Sequence, residues 1–341
     1  MSGSDSRTIL TAGGRVAVVT LIASAMLLGA SVAASSSRAG AVGDPQAALT
    51  AELTSAANLK SIPLSVQPPV SKWGGLAPYF SYQATPKGRA CFATQSQVSL
   101  ITKYCYWGDT KSTRVAALIG DSQAFQWLPA LDQWGLHGHW KILVLTKAAC
   151  RPWSSKTYLW SDHSTPFPQC PQFNTWVVKT LIKIRPKATF IAAEIGALSA
   201  TSVESSADVV TGISKLKSSL ARSKTRMLLF QNTPWFWNLP TSPACLVAHD
   251  SSIATCAQPR AETTSGPNVI EKPMRDAIAT IASDHFASVV PVDNLMCSPS
   301  ECPMLSGSIL IYLDDAHITN LWVAHVEPAF AEMVAPLVKG L

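Results

Sequence analysis

Five short apolar runs recur along this chain at 115–119, 141–145, 188–193, 226–230 and 288–292, and stretches of helical periodicity alternate with them at 122–135, 174–184, 206–223, 268–286 and 317–338. A continuous apolar run bounded by turn residues reads as a fully buried strand, and apolar positions at three- and four-residue spacing read as one face of a helix. Strand and helix in turn imply an α/β fold of three α/β/α layers: a five-stranded, mainly parallel sheet covered on both faces, with right-handed crossovers. No internal repeat is visible.

Ahead of the first strand the pattern changes. Residues 16–35 form an apolar and small-residue stretch long enough to cross a bilayer, preceded by Arg7 and Arg15 and followed by a Ser-, Ala- and Gly-rich segment. Residues 1–41 are therefore expected to be a signal peptide or an N-terminal membrane anchor, with Ala39-Gly40-Ala41 resembling a signal-peptidase site. Residues 42–87 are expected to be a linker, helical around 47–59, that becomes a Pro-rich extended arm over 62–87. The α/β domain then occupies 88–341.

Composition narrows the function classes. With 47% hydrophobic and 14% charged residues the chain has ample material for a core and is not a disordered polymer. The formal charge of +6 includes +2 from the first 41 residues, and no dense basic run appears, so nucleic acid is not an expected partner. Phosphate-binding glycine loops and dinucleotide fingerprints are absent, and no cofactor is expected.

All eight cysteines follow residue 41, an even number that suits an oxidising, extracytoplasmic compartment. They can pair in roughly a hundred ways, and four local couples, each bracketing a polar or Pro-rich stretch, are favoured: Cys91–Cys105, Cys150–Cys170, Cys245–Cys256 and Cys297–Cys302. No Cys-x-x-Cys pair occurs, and His137 with His139 lacks a third ligand in pattern, so no metal site is expected.

Two motifs carry the candidate chemistry. Gly120-Asp121-Ser122 follows the first strand and precedes a helical pattern, which puts Ser122 at the carboxyl edge of the sheet, where open α/β sheets bind ligands. Standing alone, the tripeptide also reads as a helix cap in which Asp121 bonds backbone amides. Asp314-Asp315-Ala316-His317 supplies the missing partners: a serine needs a base to take its proton, and His317 with a carboxylate three residues earlier provides a base and its orienting group.

The stretches 115–131 (VAALIGDSQAFQWLPAL), 145–152 (LTKAACRP), 186–194 (PKATFIAAE) and 313–319 (LDDAHIT) resemble the SGNH hydrolase superfamily. The similarity is greatest to the SGNH domain at the carboxyl end of bacterial membrane acyltransferases that O-acylate cell-surface glycans. It runs from about residue 63 to the C-terminus, and the arm resembles the extension preceding that domain. The resemblance implies a flavodoxin-like sheet, Ser122 as nucleophile, His317 as general base and Asp314, rather than Asp315, as its partner. Gln123 stands where the family often has histidine. The superfamily's usual Gly and Asn oxyanion donors have no clear counterpart, so the donors are sought in the Ser122 amide, the Thr146 hydroxyl and the amides of Lys147 to Ala149, or in the turn at 194–196.

Long insertions at 150–172 and 232–267 follow strands on the Ser122 side and contain Trp153, Trp160, Trp235 and Trp237, candidates for stacking on sugar rings. At least half of the aromatics in these loops, Phe167 and Phe236 among them, are expected instead to pack the loops onto the sheet. The leading expectation is an exported serine-dependent O-acyltransferase or acyl esterase acting on cell-envelope carbohydrate through an acyl-Ser122 intermediate. The acyl donor and a cell-surface glycan are its expected partners, with a separate multi-pass membrane acyltransferase if it transfers. The alternative is a non-catalytic glycan-binding module on the same fold. A lipase or protease is disfavoured because no Gly-x-Ser-x-Gly elbow occurs.

Overall fold

The computed structural model describes residues 43–102, 104–153, 165–194, 197–199, 202–203, 206–234, 236, 242–261, 287–315 and 317–341. The apolar segment 16–35 and the helix expected over 268–286 lie outside them. Among the described residues no helix is long and apolar enough to cross a membrane.

Two short strands come first, β1 (Phe92–Ala93) and β2 (Tyr106–Gly108), followed by β3 (Val115–Gly120), β4 (Lys141–Lys147), β5 (Ala188–Ala192), β6 (Arg226–Phe230) and β7 (Ala287–Val290). The last five are the apolar runs of the sequence, and they pair in parallel in the order β4-β3-β5-β6-β7. All five residues of β5 are buried, as continuous apolar runs without alternation require in a sheet covered on both faces. The sheet has seven strands rather than five, because β1 adds to β4 in parallel and β2 pairs with it antiparallel. Two- and three-residue strands are too short to show a hydrophobic period.

Around the sheet lie α1 (Pro45–Ala56), α2 (Ser122–Phe125), α3 (Leu128–His137), α4 (Gln169–Ile184), α5 (Ser206–Leu220), α6 (Asn320–His325) and α7 (Glu327–Val334). α1, α3, α6 and α7 pack among themselves, and α4 packs on α5. Two stretches expected as single helices are broken. The one over 122–135 divides into α2 and α3 because Pro129 has no N–H for the carbonyl of Phe125, four residues back, and its ring crowds that carbonyl. Pro328 and Pro336 likewise open new segments within 317–338.

The four favoured cysteine couples are the four disulfides of the structure, and all eight cysteines are paired. Contacts divide the chain into residues 1–41 and 42–341. Within the second unit α1, the helix expected in the linker, is packed against the rest: Leu53 is fully buried, the Gln46 amide bonds Glu332 Oε2 at 3.0 Å, and Glu52 accepts from Ser306 and meets His325 at 2.8 Å. The arm that follows is fastened as well. Gln67 exchanges backbone bonds with Ser308 and Leu310, and the Ser81 hydroxyl takes up the carbonyl of Phe125 that Pro129 leaves vacant, at 2.7 Å.

Candidate active site

β3 lies between β4 and β5, so the chain leaves it for one side of the sheet and later returns on the other. Such a reversal opens a crevice at the carboxyl ends of the strands. Gly120, the last residue of β3, is flanked by Thr146 and Ala192. Its φ is 140°, and a Cβ there would stand 1.7 Å from the Ala192 carbonyl oxygen, so only glycine permits this approach. Asp121 then caps α2: one carboxylate oxygen accepts from the Gln123 amide at 2.9 Å, and the other crosses to the Glu194 amide at 2.9 Å, tying the ends of β3 and β5 together. Ser122 follows as the first residue of α2, with its side chain at the crevice.

His317 arrives from the far end of the sequence on a tight loop. Tyr312 bridges Ile318, and the Leu313 amide bonds the His317 carbonyl at 2.8 Å. Asp314 accepts from the His317 amide at 2.7 Å and meets its Nδ1 at 2.9 and 3.1 Å. His317 Nε2 lies 2.9 Å from Ser122 Oγ. A carboxylate on Nδ1–H leaves Nε2 as the acceptor, the tautomer a general base requires. The structure thus brings Ser122, His317 and Asp314 together, with Asp314 on the imidazole, while the Asp315 carbonyl accepts from the Phe236 amide at 3.3 Å.

Three supports had no sequence signal. Gln126, fully buried, accepts from the Ile318 amide at 3.1 Å through Oε1 and donates from Nε2 to Gln123 and Thr233. Phe80 sets its ring edge-to-face against the imidazole, with centroids 5.2 Å apart. The Asn320 amide group donates to the Ser81 carbonyl at 2.9 Å, fixing the arm beside the loop.

Negative charge surrounds the imidazole. Burial opposes protonation of His317, but the hydrogen bond and charge of Asp314, together with the charges of Glu194 and Asp121, outweigh it and raise its pKa above the ordinary 6.5. Asp121 is itself pushed up to about 7, by burial first and then by the charge of Glu194. The two amides it accepts and nearby Arg151 work in the opposite direction.

The side chains of Thr146, whose hydroxyl is an expected oxyanion donor, and of Lys147, of which only the amide is, are engaged elsewhere. The buried Thr146 hydroxyl donates to the Cys91 carbonyl at 3.1 Å. Lys147 Nζ donates to the carbonyls of Thr94, Gln95 and Gln97, and burial lowers its pKa to about 8. The reason is that β4 runs two residues beyond the apolar run, so both positions are strand residues held under the 91–105 loop. The next turn differs: Ala149 has a left-handed φ of 54°, uncommon for a residue with a Cβ, and its N–H has no partner among the described residues. The Ser122 N–H has none there either.

Trp153 is 1% exposed and belongs to the core, so it offers no face to a sugar. Phe167 and Phe236 are buried as well. Trp160, Trp235 and Trp237 lie outside the described residues. A cavity of about 430 Å³ opens beside Ser122, Asp314 and His317, and its opposite wall is the arm.

A three-layer α/β/α sheet with a Ser–His–Asp chain at its switch point is the arrangement of the SGNH class. The chain belongs to the family described as "SGNH domain (fused to AT3 domains)", whose model matches residues 90–332. Among solved structures it is similar to the periplasmic domain of a lipopolysaccharide acetyltransferase from Salmonella ser. Paratyphi A, with TM-score 0.53 and 13% identity over 78% of this chain and 99% of that one. A GDSL-like lipase from Bacteroides thetaiotaomicron aligns with TM-score 0.39 and 11% identity over 67% of this chain and 88% of that one. A carbohydrate acetylesterase from Sinorhizobium meliloti aligns with TM-score 0.38 and 11% identity over 66% and 99%. No curated protein sequence matches the chain.

Proposed function

We propose that the chain is an exported, serine-dependent O-acyltransferase or acyl esterase of the cell envelope. The observation that carries this reading is the continuous path from Ser122 Oγ through both nitrogens of His317 to Asp314. Ser122 Oγ attacks the carbonyl carbon of an acyl ester while His317 Nε2 takes its proton. The tetrahedral adduct then expels the alkoxide, which receives that proton, leaving acyl-Ser122. A sugar hydroxyl or water, deprotonated by the same nitrogen, attacks the acyl-enzyme and frees the serine.

The amides of Ser122 and Ala149 serve as oxyanion donors in this reading. A residue with a left-handed φ, whose N–H has no partner among the described residues, in the loop after β4 and close in sequence to a disulfide, suits a donor held in place before the reaction. Family membership and the Salmonella periplasmic domain support a glycan acceptor and a separate multi-pass membrane acyltransferase that delivers the acyl group. Four disulfides support an extracytoplasmic site of action.

The test is labelling of the full-length protein with a fluorophosphonate, which reports an activated serine without knowledge of the substrate. Labelling confined to the peptide carrying Ser122, and absent from His317→Ala, is expected. A protein that neither labels nor turns over any acyl ester is instead a binding module.

A further inference from the structure

The cavity beside the triad has two unlike walls. His317, Asp314 and Leu313 form one, and the arm forms the other through Trp73, Leu76, Ala77 and Phe80. The arm wall is poorly suited to a sugar. Hydroxyl groups need polar partners when they leave water, yet the Trp73 indole N–H is engaged by the Pro68 carbonyl at 2.8 Å, and Gln83 alone adds a polar side chain on that side. Trp73 is 8% exposed, so only a small part of its surface faces the cavity.

The same wall suits a hydrocarbon. It is apolar, and it is preformed: bonds from Gln67 hold one end of the arm and the Ser81 bonds to Phe125 and Asn320 hold the other. A cavity of about 430 Å³ is of small-molecule size, and an acetyl group would leave most of it unfilled, forfeiting the contacts its lining offers. Charge points the same way. Among the described residues no lysine or arginine lines the cavity, while Asp314 does, so a terminally carboxylated chain would meet a carboxylate.

We propose, resting on the reading that Ser122 is acylated, that this cavity is the acyl-binding site and that the arm selects an uncharged acyl chain of about four to eight carbons over acetyl. The ester carbonyl sits at Ser122 Oγ, the chain lies along Trp73, Leu76 and Phe80, and the alcohol oxygen faces away from the arm. Donor selectivity therefore resides in the segment that precedes the α/β domain.

The experiment uses the full chain and p-nitrophenyl acetate, butyrate, hexanoate and octanoate. Each methylene that enters the cavity should raise kcat/KM about fourfold until the space is filled, so that hexanoate exceeds acetate by more than about tenfold. Gly74 lines the cavity, and a Cβ there meets nothing within 4 Å, so Gly74→Phe adds a ring at the cavity wall without a clash at its Cβ. It should lower the hexanoate-to-acetate ratio by about tenfold. Calorimetric binding of ethyl hexanoate and ethyl acetate to Ser122→Ala separates binding from chemistry: the longer ester should bind more than about tenfold tighter, and Gly74→Phe in that background should sharply reduce the difference. A flat or falling series in an enzyme that turns over acetate, or equal binding of the two esters, overturns the acyl site and leaves the serine chemistry standing. Chain-length-dependent binding in a protein with no Ser122-dependent turnover supports the site and overturns the catalytic reading.

Discussion

The turn that carries Ser122 and the loop that carries His317 deliver two halves of one proton path, yet they are held by different means. Ser122 is placed by backbone: a central strand, a glycine pressed against the Ala192 carbonyl and a cap that bonds two main-chain amides. His317 is placed largely by side chains: Gln126 and Phe80, from distant parts of the chain, hold the Ile318 amide and the ring, and Asn320, three residues on, bonds the arm. Local support comes from Asp314 and from the Leu313 amide on the His317 carbonyl. A position set by strand pairing tolerates little variation, whereas one set by several side chains can be adjusted a contact at a time.

The largest effect comes from removing either chemical group. Ser122→Ala and His317→Ala are each expected to lower ester turnover by about 10⁴-fold or more, and nearly non-additively when combined, since nucleophile and base act as a unit. Steady-state kinetics on the single and double variants checks this, and additive losses would separate the two halves. Asp314→Asn should cost about 10²–10⁴-fold by misorienting the imidazole, with Asp315→Asn much milder. The reverse ranking would transfer the orienting role to Asp315.

A smaller effect tests the side-chain support of the loop. Gln126→Met keeps volume but deprives the Ile318 amide of its acceptor, and turnover should fall about tenfold with KM little changed. A full-speed variant would show that Asp314 alone suffices to hold the loop. The mildest test is pH. A base works only when neutral, and the His317 pKa is raised, so activity should fall as pH drops through a midpoint above 6.5. In Asp314→Asn the residual activity should have its acidic limb at lower pH, because the carboxylate that favours the imidazolium is gone. A pH–rate profile of kcat/KM reads both.

The same contrast governs what was legible in the sequence. The five core strands, the Ser122 turn, the Asp314–His317 pair and the four disulfides are local patterns: apolar runs, a strand-to-helix tripeptide, a three-residue spacing, neighbouring cysteines. The strand-to-helix rhythm also leads to the right sheet class. What failed was either non-local or a matter of where an element stops. β4 continues through Thr146 and Lys147, which turns the Thr146 hydroxyl away from the role expected of it. The breaks at Pro129 and Pro328 were signalled by the prolines, but the helical period extends across them. Trp153 is an aromatic in a loop, a pattern that does not distinguish a sugar platform from a buried anchor, and burial decides it. The arm carries no motif at all, and its place opposite Ser122 depends on contacts such as Ser81 to Phe125, which no periodicity encodes.

That last contact has an evolutionary consequence. It rests on main-chain atoms of α2 and on a proline that offers them no helical partner, so replacing the Phe125 side chain leaves the accepting atom in place. Replacing Pro129 does not, because any other residue brings an N–H that competes with the Ser81 hydroxyl for the same oxygen. Position 129 is therefore a concealed constraint: drift there, at a residue that does not line the cavity, would loosen its far wall without altering one of its lining residues.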